Sequence, residues 1–234
     1  MSIASVNDVH HDRINGNRKL AAITEPLGLG IGSSRRLTPR ELVFGEGDPR
    51  THLYSVVEGV LCSYKLLSDG RRQIDAFYFA GEVVGIGVGG THAVNAEAIS
   101  PAVVRSVPIG TVDRMVHSRP EFGWALLEIA SQQLAEASEH LLNLGKRSVN
   151  ERVSAFLISL AERCEHAGQD NAAIVVPMTR TDMADFLGMR LETVSRCVNR
   201  FKWLGLIETP QPNLIILKDR PALEAMAGGE SRPS

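Results

Sequence analysis

MTRTDMADFLGMRLETVSRCVNRFKW, residues Met178 to Trp203, reads as two short helices joined by a tight turn. The first begins near Thr179 to Thr181, with Asp182 in its first turn. A threonine caps a helix by accepting a bond from an orphan backbone N–H, and an aspartate there suits the helix dipole. Met183, Phe186 and Leu187 recur at helical spacing. Gly188 then breaks the helix, as glycine does where the backbone turns with positive φ. The second helix starts at about Leu191, with Val194, Val198 and Phe201 as its inner stripe. Glu192, Ser195, Arg196 and Arg200 fall on other faces. A short helix, a glycine turn and a second helix carrying an outward Glu and Arg four apart is the pattern of a helix-turn-helix, whose second helix enters the DNA major groove.

The chemistry of that pair fits base reading. Glu192 can accept from the exocyclic amine of cytosine or adenine, and Arg196 can donate to guanine O6 and N7. Four residues of separation place both on one helix face. The same spacing also makes an ordinary surface ion pair; the preceding helix and the glycine turn are what favour reading DNA. Locally, Arg180, Arg190, Arg196, Arg200 and Lys202 outnumber Asp182, Asp185 and Glu192. Over all 234 residues the net charge is −2, so the DNA argument rests on the motif and not on global charge.

Upstream, from Leu37, short apolar runs alternate with turns at Gly45, Gly47, Pro49, Gly59, Gly70 and Gly81. That rhythm predicts an antiparallel jelly-roll or β-roll, with a hairpin at Ser68-Asp69-Gly70. Gly85 to Gly90 predicts a loop. Beyond Pro120, the residues Leu127, Ala130, Leu134, Ala137, Leu141 and Leu144 fall at alternating steps of three and four, the a/d seam of a two-stranded coiled coil. A dimer suits the reading helix, because two symmetric readers recognise an inverted repeat. LGKRSVN, up to Asn150, reads as a hinge. Glu151 to His166 follows as an amphipathic helix, stopped at Ala167-Gly168. Ala173 to Val176 is a short strand, and Leu206-Ile207 with Leu214 to Leu217 form a wing around TPQPN. The fold class is therefore α+β, organised as a loose leader (1–25), a β-roll (26–112), a dimerisation helix (113–146), a winged helix-turn-helix (147–220) and a disordered tail (221–234).

An apolar fraction of 44% and a charged fraction of 22% are those of an ordinary globular chain. The N-terminus lacks the apolar core of a signal peptide, and no run approaches the length of a membrane span. Cys62, Cys164 and Cys197 are scattered, which predicts reduced thiols in a cytoplasmic protein, with neither disulfides nor a metal cluster. No catalytic constellation stands out, so an enzyme is not expected. His10-His11 reads as a solvated pair, and His52, His92 and His117 lack partners at metal-ligand spacing.

The order β-roll, long helix, winged helix-turn-helix resembles the CRP/FNR family of bacterial transcription regulators over roughly Leu37 to Leu217. Glu192 to Arg196, E-T-V-S-R, lies within a run similar to that family's DNA-binding signature, and its E-x-x-S-R form is similar to the FNR and FixK branch. The resemblance implies a homodimer on a TTGAT-N4-ATCAA-like palindrome, with Glu192, Ser195 and Arg196 as base readers. Thr179, Arg180, Thr181, Arg190, Leu191, Thr193 and Arg200 are then expected to contact the DNA backbone or support the readers. It also implies an activator that contacts RNA polymerase and serves micro-oxic or anaerobic respiration or nitrogen metabolism. A cyclic-nucleotide pocket of the family pairs Gly-Glu with an arginine about ten residues on. Here Gly81-Glu82 is followed by Thr91-His92-Ala93-Val94-Asn95, with no arginine. The cysteine cluster of an FNR-type oxygen sensor is absent from residues 1–36. FixK-type regulators lack both sensors, so no cofactor is expected. The alternative is a ligand- or redox-gated repressor or sensor of the same family, with a small molecule in the β-roll. Cys197, beside Arg196, is a candidate redox thiol, or else packs where an apolar residue usually sits.

Overall fold

The computed structural model describes residues 32–166 and 173–229. The expected leader, His10-His11, Ala167-Gly168 and residues 230–234 lie outside these. The chain forms two compact units, one ending at Ala137 and the other beginning at Ser138.

The first unit carries strands β1 (Ser33–Leu37), β2 (Leu42–Phe44), β3 (His52–Glu58), β4 (Leu61–Leu66), β5 (Arg72–Tyr78), β6 (Val83–Val84), β7 (Asn95–Ala98) and β8 (Ala102–Pro108). They pair antiparallel in two four-stranded sheets, ordered β1-β8-β3-β6 and β2-β7-β4-β5. Leu37, Phe44, Val56, Leu61, Val84 and Val104 meet in one buried cluster. Successive strand residues point to opposite faces. Val84 accordingly joins that cluster, while Val83 joins a second one with Leu53 and Val107. The second cluster is completed by Val112 and Met115 of helix α1 (Ile109–Ser118) and by Phe122 and Ile129 of helix α2 (Pro120–Lys146).

Two features here depart from the sequence reading. β1 was not expected, because SSRRL is polar; it is a sheet-edge strand in which only Leu37 is buried. The expected helix 113–146 is two helices, the second beginning at Pro120, a residue that reads in the sequence as a helix start or restart. They part at Arg119, whose φ of −138° and ψ of 87° are non-helical. The proline that follows crowds the helical region for the residue before it, and opens α2 itself.

The second unit contains the end of α2, then α3 (Val149–His166), β9 (Ala173–Val175), α4 (Arg180–Leu187), α5 (Leu191–Trp203), β10 (Ile207–Gln211), β11 (Leu214–Leu217) and α6 (Arg220–Ala227). Val153, Phe156, Leu157, Leu160 and Ala161 of α3 are buried among Met183, Leu187, Val194, Val198 and Phe201 of the two reading-motif helices and Leu206, Ile215 and Leu223. The expected hinge up to Asn150 is shorter than read, since only Arg147 and Ser148 separate α2 from α3. Ser148 starts α3 with reciprocal bonds: its N–H donates to Glu151 Oε2 at 3.0 Å, and Glu151 N–H donates to Ser148 Oγ at 3.4 Å. This S-x-x-E capping box was legible in the sequence and was missed.

The expected disordered tail from 221 is also corrected. Arg220–Ala227 is helical, capped by Asp219, whose side chain accepts from Ala222 N–H at 3.1 Å. Leu223 is fully buried and α6 packs on α3. The sheet β10-β11-β9 forms the wing. Its first strand runs to Gln211, further than expected, with an irregular register between Glu208 and Gln211. Pro210 lies in that interval and has no N–H to give the ladder.

Candidate nucleic-acid interface

Thr179 is the N-cap of α4. Its Oγ1 accepts from Asp182 N–H at 3.1 Å, and Asp182 Oδ2 accepts from Thr179 N–H at 2.9 Å. Asp182 is fully buried, so its carboxylate is held by the cap and turned away from solvent. At the other end Gly188 adopts φ 62°, ψ 43°, the left-handed conformation in which any side chain is strained. A Cβ there would also lie 3.1 Å from Leu144 Cδ2. The turn Gly188-Met189-Arg190 delivers Arg190 as the extended N-cap of α5.

On α5, Val194, Cys197, Val198 and Phe201 are buried, the i, i+3, i+4, i+7 stripe of a packed helix. Glu192, Arg196, Asn199, Arg200 and Lys202 are exposed, and Thr193 and Ser195 are half-buried. Glu192 in the first turn and Arg200 and Lys202 in the last match the helix dipole. Glu192 and Arg196 share the outer face, and among the described residues no ion pair joins them. Of the expected supporting residues, Thr179, Thr181, Arg190, Leu191 and Arg200 are exposed. Arg180 is half-buried, its Nη1 lies 3.2 Å from Met183 Sδ, and burial lowers its pKa.

Cys197 is 4% exposed, and its Sγ–H donates to Asn150 Oδ1 at 3.4 Å. Burial pushes its pKa up to about 11, only partly offset by Arg200. A reactive thiol needs the opposite, exposure and a lowered pKa. The candidate redox role therefore lacks support here, and the packing alternative describes the residue. Thiol reagents at neutral pH are expected to leave Cys197 unmodified in the native protein and to label it after denaturation, as read by peptide mapping. Because the folded pKa is raised, this thiol favours folding below the ordinary thiol pKa of about 8.5. That contribution is lost as pH rises through about 11.

Along α2 the expected seam residues Leu127, Leu134 and Leu141 are 54%, 69% and 68% exposed. Ala137 is exposed and Ala130 half-buried. Leu144 is half-buried and lies against the Gly188 turn.

In the first unit a cavity of about 110 Å³ is lined by Phe44, Arg50, Ser63, Tyr78, His92 and Gln133, among others. His92 stacks on Phe44 with ring centroids 3.6 Å apart, and its pKa is lowered by burial and then by Arg50. Ser63 Oγ donates to Tyr78 Oη at 3.2 Å, and burial pushes the Tyr78 phenol up to about 12. Glu82 Oε2 accepts from Phe79 N–H at 3.1 Å, within its own turn. Arg50 was not legible in the sequence as a lining cation, because it lies upstream of Gly81-Glu82; pairing of Pro49 with Thr91 brings it to the cavity. Arg50 Nε donates to Gly89 O at 3.1 Å. Among the described residues no group of three His, Cys, Asp or Glu could hold a metal ion, and no helix is long and apolar enough to cross a membrane.

Residues 151–226 match the Crp-like helix-turn-helix domain, and residues 34–119 match the cyclic nucleotide-binding domain. The nitrogen fixation regulation protein FixK of Bradyrhizobium diazoefficiens is 36% identical over 197 residues, covering 84% of this chain and 83% of that protein. This chain belongs to the CRP/FNR family. A second relative, the transcriptional activator protein Anr of Pseudomonas aeruginosa, is 30% identical over 202 residues, covering 86% of this chain and 82% of its own. The structure of FixK2 from Bradyrhizobium japonicum matches with a TM-score of 0.80 at 32% identity, over 87% of this chain and 100% of that one. The chain is thus a FixK-like, DNA-binding transcription regulator of the CRP/FNR family.

Proposed function

We propose that this regulator is a cytoplasmic, homodimeric activator that binds a TTGAT-N4-ATCAA-like palindrome and contacts RNA polymerase. Glu192, Ser195 and Arg196 read bases; Thr179, Thr181, Arg190 and Arg200 meet the backbone, with Arg180, Leu191 and Thr193 in support. The observation that carries this is the division of α5. Its inner stripe is buried, while Glu192 and Arg196 stand together on the outer face with no ion pair between them. The regulon is micro-oxic or anaerobic respiration or nitrogen metabolism; the relative in Bradyrhizobium diazoefficiens, named a nitrogen fixation regulation protein, supports the last of these.

Binding proceeds without a cyclic nucleotide. No arginine lies between Thr91 and Asn95, where the family's cyclic-nucleotide pocket would place one. Purified protein titrated in air onto a labelled palindrome is expected to bind it well above a scrambled duplex, with no change on adding cyclic AMP. Equal affinity for both duplexes overturns the reading. Stimulation by cyclic AMP overturns the ligand-free part of it. The second reading, a small effector in the β-roll cavity, is favoured by Arg50 and predicts that cell extract small molecules raise DNA affinity.

A further inference from the structure

Arg152, in the first turn of α3, serves two carbonyls at once. Its Nε donates to Arg147 O at 3.1 Å, and its Nη1 donates to Leu187 O at 2.9 Å. Arg147 directly follows the end of α2, and Leu187 is the last residue of α4. Carbonyls at helix C-termini lack intrahelical partners and carry the negative end of the helix dipole. Two such ends therefore converge on one guanidinium. Its planar fork of donors can satisfy both, where a lysine would offer a single point charge.

Packing follows the same line. Leu144 of α2 lies against the Gly188 turn. His140, one turn earlier, stacks on Phe186 of α4 with centroids 4.1 Å apart and rings 14° from parallel. Asn150, beside Arg152, accepts from Cys197 of α5. The end of the long helix is thus joined to the turn of the helix-turn-helix and, through α3, to the reading helix.

We propose that Arg152 is a positioning residue for DNA reading: it locks the reading motif to the end of α2, so that the distance between two half-sites is measured rigidly. The proposal rests on the reading of a dimer on a palindrome given above. Each reader keeps its own base contacts without Arg152, but their separation is no longer fixed.

The test uses the full-length protein and palindromes whose spacer is normal, one base pair shorter or one longer. Wild type is expected to prefer the normal spacer strongly. Arg152→Met, which keeps the apolar stem and removes the donors, is expected to narrow that preference by about tenfold, the scale of one charge-assisted hydrogen bond. Arg152→Lys should restore part of it. Circular dichroism and a thermal melt establish that each variant is folded; if Arg152→Met is not, Leu144→Ala tests the same joint. An unchanged spacer preference, or an equal loss of affinity on all spacers, overturns the positioning role. A wild type that binds every spacer equally refutes the palindrome reading itself, and this proposal with it.

Discussion

Arg196→Ala is expected to lower affinity for the palindrome by about 1–3 kcal/mol per half-site and to relax specificity at one base pair, leaving the rest of the site as selective as before. The side chain is exposed on α5, and alanine is the better helix former, so the fold should not move. If Arg196 reads a guanine as proposed, the loss is that of a bidentate contact, whose acceptors are left without their donor. Arg200→Ala is the informative contrast. If Arg200 meets a phosphate, its loss weakens all sequences alike and lowers the salt slope by about 0.9 for each contact removed. Competition assays with every single-base variant of the site, repeated at several salt concentrations, separate the two patterns. Unchanged affinity for Arg196→Ala would remove α5 from the role of reader.

The reading motif was legible because each of its parts is a local signal. Thr179, Asp182 and Gly188 mark helix ends by their own chemistry, and the apolar stripe of α5 shows in its spacing. Even Cys197 follows that rule: at i+3 from Val194 it completes the buried stripe, as its burial shows. The β-roll was legible as a rhythm of turns, but its edge strand β1 was not, since an edge with one wet face needs few apolar residues. Two helix starts were overlooked although their caps are written plainly, Ser148 with Glu151 and Asp219 before Arg220-Pro221.

What was not legible is what tertiary pairing creates. Arg50 reaches the β-roll cavity only because its turn pairs with Thr91. Arg152 is an unremarkable arginine on a helix until the carbonyls of Arg147 and Leu187 are seen converging on it. Leu144 fits the period of the seam and also lies against the Gly188 turn. Periodicity counts apolar positions on a helix and cannot say which neighbour each one meets.

That distinction sharpens the expectation for the seam. Leu127→Glu combined with Leu141→Glu should give a folded monomer near 25.4 kDa by light scattering. Both leucines are more than half exposed in the single chain, so glutamate there removes little core packing and the variant chain should still fold. In a parallel two-stranded coil, however, each glutamate would face its own copy across an apolar seam. Burying charges without partners costs several kcal/mol, against about 1.5–3 kcal/mol contributed by each buried leucine. Losing the dimer also uncouples the two half-sites. The second reader then binds from solution and not from a tethered position, so affinity for the palindrome should fall by about 10²–10⁴-fold while the weak affinity for an isolated half-site stays the same. A double variant that still scatters as a dimer would place the dimer contact on some other surface, and would leave the exposed row of Leu127, Leu134 and Leu141 to be explained by another partner.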